Sequence, residues 1–329
     1  MNLSVSQMML IENSNCEKCT LCSLPTSKIL SSKLRRGQGL VYYCESCKHG
    51  FLMPKENFNE KTYYADKYRQ EYSHNANPSK TNAREIFDTY HAYQGYRLTI
   101  VSQYLRRDLS LLEVGASSGQ FLSNIKDRVA LVNAIELDRE CCSFMQKILE
   151  IDADFEYLSD SKFANKTYDL VCAFQVMEHV VNPVIFIKDL VRATKKGGTI
   201  FVEVPNLNDP LLSVWNIPSY QSFFYHSAHL HYFTDASLKK VAIDAGFISK
   251  NIQIEYIQDY NLLNHLNWLT NGLPQETCHS GLAEINFNGV NKDIAKWLTD
   301  KVANLNQEYI SKLVNEKCTS NIMMILKND

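Results

Sequence analysis

The sequence predicts an α/β protein. A mostly parallel, Rossmann-like sheet is preceded by a small cysteine-rich module and carries a helical insertion before its last strand. Three observations predict it. From residue 109 onward, short apolar runs alternate with stretches of helical periodicity, as strands joined by crossover helices do. The run Leu111-Leu112-Glu113-Val114-Gly115-Ala116-Ser117-Ser118-Gly119 reads as a buried strand that turns through two glycines into a helix. At the other end, Cys19-Thr20-Leu21-Cys22 and Cys44-Glu45-Ser46-Cys47 are separated by 21 residues.

Taken in order, strands are expected near 110–114, 131–136, 154–158, 168–174 and 199–204. Helices are expected near 118–128, 139–149, 182–194 and 235–245. Lys195-Lys196-Gly197-Gly198 breaks the third of these helices, and Gly246 ends the fourth. Residues 248–257 read as a sixth strand and Asn321-Ile322-Met323-Met324-Ile325-Leu326-Lys327 as a seventh, with a largely helical insertion at about 260–318 between them. The domain reading is therefore a metal-binding module at 1–55, a Tyr-rich helical linker or cover at 56–108, and the α/β domain at 109–329. Tyr63, Tyr64, Tyr68 and Tyr72 in the linker read as helix packing or as a cover over a ligand.

Composition narrows the function classes. Hydrophobic content of 45% and charged content of 21% suit a globular protein with a real core. A net charge of −2 leaves no basic footprint for nucleic acid or an anionic membrane surface. No apolar run is long enough to span a bilayer, and residues 1–15 lack the pattern of a signal peptide. Ten cysteines in that context point to a reducing, cytoplasmic compartment rather than a disulfide framework. Oligomeric state is not readable from the sequence.

Two C-x2-C knuckles close a tetrahedron of thiolates with no open position, which suits structural zinc on Cys19, Cys22, Cys44 and Cys47. Cys16 is a spare, because Leu24 and Pro25 directly follow the Cys19/Cys22 pair as in a knuckle turn. The site would supply folding energy to a segment too small to hold itself together.

The glycine turn is the cofactor signal. A dinucleotide fingerprint requires G-x-G-x-x-G, but Ser117 stands at the middle glycine, leaving E-x-G-x-x-x-G. That pattern fits a cofactor with an amino-acid part and no pyrophosphate. Glu113 can face an ammonium group and the N–H groups of residues 116–119 a carboxylate. Glu136, ending the next apolar strand, is placed for ribose hydroxyls.

Here the chain resembles the class I S-adenosylmethionine-dependent methyltransferases. Tyr168-Asp169-Leu170-Val171-Cys172-Ala173-Phe174 with Met177-Glu178-His179 is similar to that family's fourth strand and its "(L/M)EH" triplet. Gly197-Gly198 with Val204-Pro205-Asn206 is similar to its fifth strand, and Ala245-Gly246-Phe247 to the segment before its sixth. A terminal antiparallel seventh strand is also a family trait. Cys44-Glu45-Ser46-Cys47 with Phe51-Leu52-Met53-Pro54 resembles the end of the zinc module in a subgroup that includes sugar C- and O-methyltransferases.

The resemblance implies that S-adenosylmethionine touches Glu113, Gly115, Ala116, Ser117 and Gly119 at its methionine end and Glu136 at its ribose. Leu137, Asp160 and Ser161 would lie by the adenine, and Phe174 and Gln175 on the far side. It further implies methyl transfer to a small acceptor of sugar type, a nucleotide-linked sugar or polysaccharide precursor. Deprotonation would be assisted by histidine, the side chain best tuned for it near neutral pH.

Two stretches carry candidate bases. Glu178-His179 follows the fourth strand, and Tyr225-His226-Ser227-Ala228-His229-Leu230-His231-Tyr232-Phe233 lies in the loop after the fifth. The second is similar to an "EHlsYFs" stretch of sugar C-methyltransferases, with Ala228 in place of the Glu. His229 is the first expectation for the base and His179 the second, with Glu178, Tyr225 and His226 beside them. Trp215, Tyr220, Phe223 and Phe224 are expected to wall the acceptor pocket. The alternative is a non-catalytic cofactor-binding or zinc scaffold in a biosynthetic assembly, for which the missing Glu at position 228 speaks.

Overall fold

The structure, a computed structural model, describes residues 11–53, 60–66, 68, 82–275 and 277–329. Tyr72 of the tyrosine cluster lies outside them. The N-terminal residues form four strands: β1 (Ile11–Lys18), β2 (Pro25–Lys33), β3 (Gln38–Cys44) and β4 (His49–Leu52). They make an antiparallel meander that ends on a strand supplied from far along the chain.

The main sheet begins with β5 (Ser110–Val114), β6 (Leu131–Ile135) and β7 (Asp152–Asp154). It continues with β8 (Tyr168–Phe174) and β9 (Thr194–Pro205). Next in sequence comes β10 (His231–Tyr232), which joins the N-terminal sheet by pairing antiparallel with β4. Then β11 (Ile252–Ile257) and β12 (Asn321–Asn328) complete the main sheet in the order β11-β12-β9-β8-β5-β6-β7. β12 runs antiparallel to both neighbours; the pairs among β5 to β9 are parallel.

The expected α/β class and seven strands are present. Four boundaries differ by more than two residues, one being the sixth strand, which starts at Ile252 rather than 248 behind a 3₁₀ turn at Ser249–Asn251. The third strand is Asp152–Asp154 rather than 154–158, because Tyr157 and Leu158 are apolar as walls of a cavity and not as strand residues. The fifth starts at Thr194, with Lys195-Lys196-Gly197-Gly198 inside it; the register with β8 shifts there and Gly197 takes φ +77°. The helix expected at 118–128 is one short turn, Gln120–Ser123, plus a 3₁₀ turn, Lys126–Arg128. Between β11 and β12 lie the helices Leu262–Asn271, Cys278–Leu282 and Lys292–Asn315.

Alternate residues of each parallel strand serve opposite faces, as a pleated strand demands. Leu112 packs with Ile187 and Leu190 of the helix Pro183–Arg192 and with Leu238 and Val241 of the helix Asp235–Asp244. Leu111 packs on the other face with Phe121, Cys142 and Met145. Among the described residues, no helix is long and apolar enough to cross a membrane.

Candidate active site

Strand order reverses between β5 and β8, so the crevice at their carboxyl ends is where an open α/β sheet takes a ligand. The chain leaves β5 at Gly115 with φ +76°. A Cβ there would lie 2.3 Å from Val176 Cγ2, so glycine is required by both conformation and space. The Gly115 and Ala116 N–H groups donate to the Ile135 carbonyl at 2.8 and 3.1 Å, tying the turn to β6. Gly119 (φ +82°) caps the next helix, where a Cβ would press on Leu149 and Met145.

Glu136 braces this turn. One carboxylate oxygen accepts the Ser117 N–H at 2.7 Å and the other the Asp138 N–H at 2.8 Å. Asp138 in turn caps the helix Arg139–Ile148, accepting from Glu140 N and Cys141 N. Glu113 is buried, and its Oε2 lacks a hydrogen-bond partner among the described residues. Burial pushes its pKa up to about 8, against the pull of Arg97, and that of Glu136 up to about 7, against the backbone N–H of Asp138.

A cavity of about 750 Å³ opens over the turn. Of the residues expected at the cofactor, Glu113, Gly115, Ala116, Ser117, Glu136, Leu137, Phe174 and Gln175 line it. Gly119 stands behind the wall as a packing glycine. Asp160 and Ser161 are corrected: neither lines the cavity, and Tyr157, Leu158 and Ser159 take that place. Ser161 is spent on its own turn, donating to the Leu158 carbonyl at 3.0 Å and accepting the Phe163 N–H at 3.1 Å.

Arg97 is a wall residue that sequence reasoning missed. Its Nε and Nη2 donate to the two oxygens of Glu203 at 3.0 and 2.6 Å, and Nη1 donates to Gln94 at 3.0 Å. Tyr96 Oη and Gln175 Nε2 also donate to Glu203, which is fully buried. The signal was legible: a Glu inside the apolar run Phe201-Val202-Glu203-Val204 needs a cationic partner.

On the acceptor side the structure reorders the candidates. His179 lines the cavity; His229, His226 and Tyr225 do not. His229 sits behind His179, ring centroids 4.7 Å apart, and His226 behind His229 at 3.6 Å. Tyr225 is a core residue: its ring packs edge-on to Tyr232 and its carbonyl accepts the Arg35 N–H. Glu178 is buried beneath, and neither of its oxygens has a hydrogen-bond partner among the described residues. Burial raises Glu178 to about 8, lowers His179 to about 4 and holds His229 well below the usual imidazole range.

The aromatic residues after β9 are also corrected. Tyr220, Phe223 and Phe224 pack on Leu30, Leu34, Val41 and Leu52 of the N-terminal sheet and on Trp268. Trp215 donates to the Tyr309 hydroxyl. A large apolar sheet face needed cover, and this loop supplies it instead of lining the cavity.

A family model described as a methyltransferase domain matches residues 83–248, just over half of the chain. The chain belongs to the methyltransferase-domain family. Among solved structures, a SAM-dependent methyltransferase from Archaeoglobus fulgidus is 17% identical, with 74% of this chain and 97% of that one covered and a TM-score of 0.46. A possible histamine N-methyltransferase from Thermotoga maritima is 12% identical (75% and 94% covered, TM-score 0.46). Phosphoethanolamine N-methyltransferase 2 from Haemonchus contortus, solved with S-adenosyl-L-methionine, is 11% identical (84% and 61% covered, TM-score 0.48). No curated protein matches the sequence.

In this methyltransferase the four expected cysteines converge. Cys19 Sγ lies 3.5 Å from Cys47 Sγ, Cys22 Sγ 3.5 Å from Cys44 Sγ, and Cys47 Sγ 3.7 Å from Cys22 Sγ. Four thiolates around one zinc at about 2.3 Å stand about 3.8 Å apart, so the cluster fits that ion with little movement. Ser23 (φ +60°) and Lys48 (φ +56°) follow the two pairs directly, each in the left-handed conformation that turns a knuckle back. Cys16 is exposed and outside the cluster. The four could hold a metal ion.

Proposed function

We propose that this SAM-dependent methyltransferase binds the methionine part of its cofactor between Glu113 and the turn at residues 115–117. In this reading Glu136 takes the ribose hydroxyls, and Leu137 and Leu158 flank the adenine. The observation that carries it is one cavity walled by a buried, unbonded Glu113 oxygen at one place and Glu136 at another. Those are the two carboxylates an amino-acid nucleoside needs. When bound, the cofactor supplies an electrophilic methyl group on a sulfonium.

The chain's own residues position the acceptor and take its proton. His179 is the group of the Glu178, His179 and His229 cluster that opens on the cavity, flanked by Tyr64 and Tyr68 at ring distances of 5.2 and 5.4 Å. We assign the acceptor side of the cavity to this cluster, with His229 and Glu178 acting through His179. The acceptor is proposed to be a small hydroxylated compound of sugar type, nucleotide-linked or a polysaccharide precursor. That reading rests on the resemblance around the zinc module and residues 229–234. Zinc on Cys19, Cys22, Cys44 and Cys47 is proposed as structural, fastening the N-terminal sheet that also takes β10.

Calorimetry with S-adenosylmethionine, followed by labelled-methyl transfer to a panel of sugar nucleotides, tests this. Binding with transfer supports the enzyme reading. Binding with no transfer to any acceptor supports the scaffold reading, and no binding removes the cofactor assignment.

A further inference from the structure

We propose that His49 and His231 are positioning residues for methyl transfer, fixing the strand that grips the backbone of His179. The role of His179 itself rests on the function proposed above. The peptide between Glu178 and His179 is bonded on both sides. Its carbonyl, Glu178 O, accepts the N–H groups of Leu230 at 2.8 Å and His231 at 3.0 Å. Its N–H, on His179, donates to the Val176 carbonyl at 2.9 Å. With both lone pairs and the N–H engaged, the peptide plane is set, and with it the point from which the His179 side chain departs. The ring is held from the same segment, because Nδ1 donates to the Ala228 carbonyl at 2.9 Å. Residues 228–231 thus hold His179 by backbone and side chain.

That segment needs an anchor of its own. β10 is His231 and Tyr232 alone, too short for its ladder to secure a register. It pairs His231 with Phe51 and Tyr232 with Gly50, which makes His49 the diagonal neighbour of His231 on the same face. Across that diagonal His49 Nε2 and His231 Nδ1 stand 3.0 Å apart, the two residues 0% and 2% exposed. One ring donates and the other accepts. Buried imidazoles are costly without such a partner, and a slip of β10 by one residue would turn His231 to the other face and strand both. Two apolar side chains would fill the same space at little cost in stability, but with no directional bond to select one register.

The same strand is tied to the cysteine turn. The Thr234 hydroxyl donates to the Lys48 carbonyl at 2.9 Å, and Lys48 joins Cys47 to His49. The turn that carries Cys44 and Cys47 is therefore also the turn from which His49 reaches β10. Among the described residues, none of strands β1 to β4 lines the cavity, yet through this bond they set the side chain that does.

The test compares the full chain, prepared with zinc, with His231→Leu, the double variant H49L/H231L and His231→Asn, whose carboxamide can stand near the Nδ1 position. Melting temperature, the S-adenosylmethionine Kd and the single-turnover methyl-transfer rate are measured. Imidazole ¹⁵N resonances, with that of His179 identified by His179→Ala, report its tautomer. His231→Leu should lower the rate about ten- to a hundredfold, as a slightly misplaced group does, with Kd unchanged within about twofold. The double variant should regain melting temperature but not rate, and His231→Asn should recover most of the rate. His179 should hold its proton on Nδ1 in the parent and in His231→Asn, and mix tautomers in both leucine variants. A rate that returns with the melting temperature in the double variant marks a merely structural pair and overturns the proposal, as does a His179 tautomer unchanged there. The resonances need no acceptor, so a parent chain that transfers no methyl group would sink the proposed function and leave them to decide whether the pair positions His179.

Discussion

His179 donates its Nδ1–H to the carbonyl of Ala228 at 2.9 Å, and the Tyr64 hydroxyl donates to the same carbonyl at 3.1 Å. Position 228 therefore contributes through its backbone, which any residue provides. The absence of a carboxylate at position 228 does not empty the site. The Ala228 carbonyl fixes a neighbouring imidazole.

His179→Ala should lower kcat by about 10²–10⁴, the usual contribution of a positioned proton acceptor, with cofactor affinity unchanged within twofold. His229→Ala should lower kcat less, because His229 lies behind His179 and off the cavity. Single-turnover rates beside calorimetric Kd values separate the two effects. Equal losses in both variants would mean that His179 has no special access to the acceptor.

Gly115→Ala combines a left-handed backbone, costing about 1–2 kcal/mol for a side-chain-bearing residue, with the 2.3 Å collision against Val176. Cofactor affinity should fall more than tenfold and the melting temperature should drop. Adding Val176→Ala should recover part of both, since it removes the collision but not the backbone cost. Thermal melts and calorimetry on the single and double variants check this.

Glu136→Gln should weaken S-adenosylmethionine binding by roughly ten- to a hundredfold, in line with about 1.5–3 kcal/mol for hydrogen bonds to a charged group. The drop should be as large for 5′-methylthioadenosine, which keeps the ribose and lacks the amino acid. Glu113→Gln should affect the first ligand and spare the second. Calorimetry with both compounds would reverse the assignments if the pattern came out the other way.

The pH dependence follows from the buried acids. Burial raises Glu113 to about 8 and Glu136 to about 7, so the folded protein holds protons that the unfolded chain has released. Stability should fall as pH rises from 4.5 through these values and then level off. Buried His179 and His231, both lowered to about 4, act oppositely: stability is lost as pH falls below 6.5. The uncompensated window is about pH 6.5 to 8. There the ligand-free protein should lose melting temperature while cofactor affinity rises as Glu113 and Glu136 ionise. Melts and calorimetry across that window test both signs. The double variant E113Q/E136Q should flatten the affinity curve and only lessen the slope of the melts, because burial also raises Glu178 to about 8 and Asp209 and Asp259 to about 7.

Cys44→Ser should abolish the proposed zinc binding by the N-terminal sheet and destabilise it, because the ion would lose one of its four thiolates. Metal analysis of the purified protein should give one zinc in the parent and none in the variant. A melt unchanged by the variant would show that the cluster holds no structural ion.

Much of this molecule was legible along the chain. The glycine turn at 115, the carboxylates at 113 and 136 and the paired cysteines are short-range signals. Each states its backbone need or ligand chemistry within a few residues, and the structure sets most of them on one cavity wall or in one cluster. The loop after the short third strand was less legible. Asp160 and Ser161 have the right polarity, but the wall is made by Tyr157, Leu158 and Ser159, and a shift of two residues on an irregular loop leaves no periodic trace. The aromatic run at 220–224 misled for a different reason: apolar side chains read alike whether they face a ligand or another sheet.

By itself the sequence determined the α/β class, the cofactor turn and the four-cysteine set, because local periodicity and motif spacing carry them. Only the tertiary structure decided that His179 and not His229 opens on the cavity, that Arg97 answers Glu203, and that β10 crosses over to the N-terminal sheet. Those pairings join residues 49, 106 and about 180 positions apart. No local rule fixes which distant partner satisfies a buried charge or an open strand edge; the packing of the whole chain does.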